Sequence, residues 1–267
     1  MNTSELTTSE SLETLAALDI ALRAVGRHLL ARPAIAPMPD MSAFRQEFSA
    51  MENEVVAMLR PALSALNPDA AWLDELAPTR VAGDAWLVDS VDGAVQYMRG
   101  LPQWCLTATL VRDGEAVLTV LHNPVLSETY AAALGAGAWR NGRPVSPAAT
   151  EDVGVALVAT SQPPFAAAQP EAVALAGASL SRALGSVGAV RNLGPTSWQI
   201  ADVASGRLDA FWEHGDDRSN LLGATLIARE SGTVVTDLAG VPWTPESASI
   251  LVAAPALHAP LLGVLSA

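Results

Sequence analysis

Along the first quarter of the chain, apolar positions recur at helical spacing. Residues 9–31 place Leu12, Leu15, Leu18, Ile20, Leu22, Val25, Leu29 and Leu30 three or four apart after a Ser/Thr/Glu-rich start that can cap a helix. A proline-rich stretch, RPAIAPMPDMS, then interrupts the pattern. Helical spacing returns over residues 43–66 through Phe44, Phe48, Met51, Val55, Met58, Leu59, Leu63 and Leu66, with Pro61 expected to kink or end a segment.

From Ala70 the texture becomes strand-like. Short apolar runs at 71–73, 85–91, 104–114, 115–124 and 128–134 are separated by turn chemistry at Arg112-Asp113-Gly114, Asn123-Pro124 and Arg140-Asn141-Gly142-Arg143. This predicts consecutive antiparallel strands. Beyond residue 148 strands and helices alternate: strands at GVALVATS, 187–191, DAFWE and GTVVTD, helices at 169–184, 196–205 and 219–231, and a final strand and helix over 249–266. The expected fold is therefore an α+β first half, residues 1–148, and an α/β second half, residues 149–267.

Charge and composition narrow the function. Half of the 267 residues are apolar and 16% are charged, which suits a folded chain with a large core. Acidic residues outnumber basic ones by 28 to 15, giving a net charge of −13, and every basic residue is an arginine. With no basic stripe, neither a nucleic-acid polymer nor a membrane surface is an expected partner. The absence of lysine excludes Schiff-base chemistry and a Walker-type phosphate loop. The lone Cys105 lies in an apolar run and reads as core. His28, His122, His214 and His258 show no metal-ligand spacing, and no segment reads as a signal or a membrane span, so a cytoplasmic location is expected.

Chemistry concentrates in AWLVDSVDGAVQYMRGLPQW. A strand ending in Asp89 and Asp92 and turning at Gly93-Ala94 can bring two carboxylates onto one cation, leaving the following amides for phosphate oxygens. Hard oxygen ligands of this kind select Mg²⁺. The bland alternative is a solvated Asp-Gly turn.

The segment Trp86 to Tyr97, followed by Gly100-Leu101-Pro102, resembles the first signature of the inositol monophosphatase superfamily of Mg²⁺-dependent phosphatases. Asn123-Pro124, Gly135-Ala136-Gly137-Ala138, Asn141-Gly142, Arg191-Asn192-Leu193-Gly194, Gly206-Arg207-Leu208-Asp209-Ala210 and Ile227 to Gly232 match later family landmarks in order. The resemblance implies a layered αβαβα fold, usually a homodimer, acting on a small phosphorylated substrate. It implies Glu75, Asp89 and Asp92 as metal-binding and catalytic acids, with the Val91 carbonyl joining them. Gly93, Ala94 and Glu213 would contact substrate.

Two family positions are altered. Ala94 stands where the family has a threonine that helps to position the attacking water and binds metal. Asn220 stands where it has a metal-binding aspartate, keeping one carbonyl oxygen but losing the charge. Asp216 and Asp217 are candidates to replace that carboxylate, although spacing favours reading them as a solvated, helix-capping pair. Pro195-Thr196-Ser197 also departs from the small-residue run usual there. His214, near the presumed cleft, is a candidate to orient substrate. The alternatives to a working phosphatase are a member with lost or altered catalysis on another small anionic ligand, or a dimeric binding protein.

Overall fold

The computed structural model describes residues 8–33, 35, 38–73, 82–162 and 165–266. It begins with two long helices, α1 (Thr8–Ala31) and α2 (Met41–Leu66). The buried stripe of α1 is Leu15, Leu18, Leu22, Val25 and Leu29, whereas Leu12, Ile20 and Leu30 are exposed. Asp40 caps α2 by accepting from the Ala43 amide at 2.9 Å. Contrary to expectation, α2 continues through Pro61. Pro61 and Ala57, whose carbonyl loses its helical donor, are both exposed, while Met51, Val55, Leu59 and Leu63 anchor the helix on both sides of the proline.

A seven-stranded sheet follows in chain order: β1 (Ala71–Leu73), β2 (Asp84–Asp92), β3 (Cys105–Arg112), β4 (Glu115–Asn123), β5 (Glu128–Ala133), β6 (Gly137–Arg140) and β7 (Arg143–Pro144). The short helix α3 (Ala94–Met98) lies between β2 and β3. From β2 onward the pairing is antiparallel, as the turn residues predict. By contrast, β1 runs parallel to β2, because the connection between them is no tight hairpin. The Arg140–Arg143 turn is the tip of the β6–β7 hairpin, two strands too short for their alternation to register in the sequence.

The second sheet has the order β11-β12-β10-β8-β9. Its strands are β8 (Leu157–Thr160), β9 (Ala189–Arg191), β10 (Ala210–His214), β11 (Val234–Thr236) and β12 (Ser249–Ala253), interleaved with α4 (Pro170–Leu184), α5 (Thr196–Ala204), α6 (Arg218–Glu230) and α7 (Pro255–Ser266). Strand β8 is parallel to β9 and β10; β12 is antiparallel to its neighbours.

Three apolar clusters define the layers. One packs α1 and α2 on the outer face of the first sheet, a second fills the space around α5 and α6 between the sheets, and a third holds α4 and α7 against the second sheet. The order is αβαβα. Being covered on both sides, α5 buries all nine of its residues and α6 buries Leu221 to Ala228 without a break. Among the described residues no helix is long and apolar enough to cross a membrane.

Candidate active site

Strand β2 is buried from Ala85 to Asp92, covered by helices on both faces. Its last residues create the site through an irregularity. Asp89 pairs with Thr107 and Asp92 with Cys105, so three steps on β2 oppose two on β3. Strict alternation would send residues three apart to opposite faces; the extra residue resets the phase, and Asp89 and Asp92 emerge on the same side. The Asp89 carboxylate accepts from the Val91 amide at 2.9 Å across this bulge.

The chain then turns at Gly93, whose φ of 92° lies in the left-handed region. A Cβ there would stand 2.9 Å from the Gln103 carbonyl oxygen, so glycine is required by conformation and by space. Ala94 follows as the first residue of α3.

Opposite β2, the first turns of α5 and α6 and the end of β10 supply the remaining groups. Ser197 donates its backbone amide, at 3.1 Å, and its hydroxyl to Asp92 Oδ2. The Thr196 hydroxyl lies 2.9 Å from Ser161 Oγ and 3.3 Å from Glu213 Oε2. Asn220 donates from Nδ2 to Asp217 Oδ1 at 2.7 Å. Cys105, buried as expected, lies 3.4 Å from the Ser197 hydroxyl.

Three of these acids influence one another. Burial pushes the Asp92 carboxyl up to about 6 against the opposing bonds from Ser197. Burial also raises Glu213, to about 8, with the Asp92 charge adding to the effect, while the bonds from Asp217 and Thr196 oppose it. Asp217 is raised by burial first, then by the charges of Glu213 and Asp92.

The structure thus brings Asp89, Val91, Asp92, Gly93 and Ala94 together at the end of β2, and Glu213, Asp217 and Asn220 together across from them. The expected solvated pair is split. Asp216 is exposed and forms a 2.6 Å ion pair with Arg218, whereas Asp217 is 3% exposed and makes no capping bond at the start of α6. His214 is not in the cleft. Adjacent residues of a strand face opposite ways, and while Glu213 faces α5, His214 bonds Ser179 of α4 at 3.1 Å on the far side of the sheet. Glu75 lies outside the described residues. Among those described, no three carboxylate, imidazole or thiol groups form a metal cage by themselves.

Thr196 and Ser197 were visible in the sequence only as departures from a family pattern. Two hydroxyl residues opening a helix after Pro195 were the available signal.

Comparison with known proteins decides the family. Residues 43–266 match the inositol monophosphatase family. The chain belongs to that family. An inositol-1-monophosphatase of Rhizobium meliloti (strain 1021) is 31% identical over 166 residues, 62% of this chain and 61% of that protein. A protein named Nus factor SuhB from Xylella fastidiosa is 31% identical over 156 residues, 58% of this chain and 55% of that one. The chain thus aligns with less than two thirds of the length of either relative. An inositol monophosphatase structure from Anabaena superposes with a TM-score of 0.81 at 22% identity, over 96% of both chains.

Proposed function

We propose that the chain is a Mg²⁺-dependent phosphomonoesterase that hydrolyses a small sugar, inositol or nucleotide monophosphate. The observation that carries this reading is the placement of Asp89 and Asp92 on one face at the buried end of β2, directly before Gly93 and Ala94. Two acids on one face, each held by an amide or hydroxyl donor, make a donor set that suits a hard cation. Glu75, Asp89, Asp92 and the Val91 carbonyl would hold the metal, with the Asn220 carbonyl oxygen in reserve. When bound, Mg²⁺ supplies an activated water and charge neutralisation on the phosphoryl oxygens.

The chain's own residues shape what surrounds that chemistry. Ser197 keeps the Asp92 carboxylate oriented. Asp217 accepts from the Asn220 side-chain nitrogen, which leaves the amide oxygen as the atom a cation would use. Of the two candidate acids, Asp217 is the one placed beside Asn220, since Asp216 is engaged with Arg218 at the surface. The amides of Gly93 and Ala94 serve the phosphate, and Glu213 serves the substrate's other end.

With Mg²⁺ and a broad panel of sugar, inositol and nucleotide monophosphates, the purified protein should release phosphate from at least one. Release from none overturns the reading. Asp89→Asn should abolish calorimetric Mg²⁺ binding, and unchanged binding would remove Asp89 from the ligand set.

The methyl group of Ala94 favours a second reading, a site altered for other chemistry, because it can neither bind metal nor position water. Ala94→Thr combined with Asn220→Asp separates the two. A large gain in turnover marks a weakened phosphatase, and no gain or a loss marks a rebuilt site.

A further inference from the structure

At the end of the middle layer remote from the acid cluster, a cavity of about 600 Å³ opens beside the β6–β7 hairpin. Its polar lining is Arg140, Asn141, Arg143, Ser146 and Ser205. The walls are firm. Residues 146–148 press on Gly206 so closely that a Cβ there would stand 3.1 Å from the Ala148 amide nitrogen. The hairpin tip is pinned as well: Asn141 and Gly142 have φ values of 49° and 73°, as a tight two-residue turn requires, and Asn141 exchanges bonds of 2.8 and 2.9 Å with Thr129 of β5.

Arg140 and Arg143 are direct cross-strand partners, so their side chains share one face of the hairpin. Like charges placed opposite one another lower stability, and nothing in the turn itself calls for two. Nor does the chain neutralise them. Arg207 takes up the two nearby acids, 2.7 Å from Glu128 and 3.2 Å from Asp202, and Asp202 also accepts from the Tyr130 hydroxyl at 2.8 Å. Arg140 is left 3.9 Å from the other oxygen of Glu128, and among the described residues Arg143 has no ion pair. The net charge of −13 does not reverse this local excess, because charges farther than about 8 Å away are largely screened at physiological ionic strength.

Two guanidinium forks on a rigid frame match an anion with two charges and several acceptor oxygens, whereas a single carboxylate answers only one of them. We propose that this cavity binds a phosphate dianion, free or as a small phosphomonoester, at a site separate from the acid cluster. Helix α5 sets the separation. Thr196 opens the helix at the cluster and Ser205 closes it at the cavity, nine residues later, or about 13 Å at 1.5 Å per residue. All nine residues of α5 are buried, so no small ligand reaches through the middle layer to occupy both sites. The inference does not depend on the phosphatase reading.

The test compares the full chain with a double variant, Arg140→Gln with Arg143→Gln, both carrying Asp89→Asn to silence turnover and binding in the cleft. Calorimetry with Mg²⁺ present measures Kd for inorganic phosphate, glycerol 1-phosphate and succinate, and thermal melting follows each protein with and without inorganic phosphate. One equivalent of phosphate or of the phosphomonoester should bind to the Asp89→Asn chain, at least tenfold more weakly once both arginines are replaced. The tighter of the two identifies the source as free or organic, and either supports the proposal. Inorganic phosphate is also titrated into chains with Asp89 intact, where the arginine substitutions should remove the same equivalent, so the comparison survives if Asp89→Asn fails to fold. Melting adds a readout that a purely structural role would not produce. Without phosphate the double arginine variant should melt no lower than its parent, since the like-charge contact is relieved; with phosphate it should melt lower, because only the parent is held by its ligand. Binding unchanged by the arginine substitutions, no phosphate binding outside the cleft, or succinate bound more tightly than either phosphate overturns the proposal. So does a double variant that melts below its parent in the absence of phosphate, which would make the two arginines structural.

Discussion

Ser197 gives both its amide and its hydroxyl to one oxygen of Asp92, 105 residues earlier in the chain. The contact joins the last residue of β2 to the first turn of the central helix α5, so it ties the first sheet to the middle layer at the site itself. Ser197→Ala removes one of the two donors and should cost about 1.5–3 kcal/mol of stability, the usual worth of a hydrogen bond to a charged group. The loss also leaves the ionised form of Asp92 less supported, which moves an already raised carboxyl further up. Mg²⁺ affinity in the variant should therefore fall more at pH 6 than at pH 8. Calorimetric titration at the two pH values checks this, and equal affinity to wild type at both would remove Ser197 from the site.

Glu213 predicts the opposite of an ordinary acidic residue. Its folded-state value, about 8, lies above the usual carboxylate value, so between roughly pH 4.5 and 8 the folded chain holds a proton that the unfolded chain has released. Its contribution to stability is fully present below that window and is lost as pH rises through it. Glu213→Gln cannot ionise, and its amide offers a donor to the facing Asp217. The variant should be more stable than wild type at pH 8 by about 1–3 kcal/mol, with little difference at pH 4.5. Denaturant unfolding at both pH values measures the gap, and a variant less stable at pH 8 contradicts the assignment of a buried, proton-holding acid.

His122 moves stability in the other direction. Burial, followed by the charge of Arg23, lowers its imidazole to about 4, and the ring lies 2.9 Å from the Thr129 hydroxyl. In the unfolded chain the imidazole takes a proton near pH 6.5, so stability is present above that value and declines as pH falls toward 4. His122→Gln should flatten this decline without reversing it. An unchanged slope between pH 7 and 4.5 would show that other groups carry the acid sensitivity.

How much of this was legible depends on how far each signal reaches along the chain. The stripe of α1, the strands β2 to β5 and the alternation of the second half are periodic over many residues and are expected from the sequence; so is Asp89-Ser90-Val91-Asp92 as a candidate site. The parallel placement of β1 was not legible, because a pairing partner leaves no mark in the strand it pairs with. Nor was the depth of Asp217. Beside Asp216 and Arg218 it reads as a surface acid, and only the packing of α6 between two sheets buries it. The role of Ser197 needed the fold, since its partner lies on another layer.

That packing of α6 can be tested at one atom. Gly223 sits inside the helix, where glycine normally costs about 1 kcal/mol relative to alanine, so Gly223→Ala would ordinarily stabilise. Here the helix presses on the first sheet. A Cβ at residue 223 would collide with Thr109 Oγ1 and stand 2.7 Å from Thr119 Oγ1, and those two hydroxyls already bond each other at 2.9 Å in the sheet interior. Overpacking of this kind costs about 1–3 kcal/mol, which exceeds the helix-propensity gain. Gly223→Ala should therefore lower Tm, and adding Thr109→Ala, which removes the closer hydroxyl, should recover part of the loss. A single variant that melts higher than wild type would mean that the layer between the sheets has room to give, and that glycine at 223 is not what sets the approach of α6.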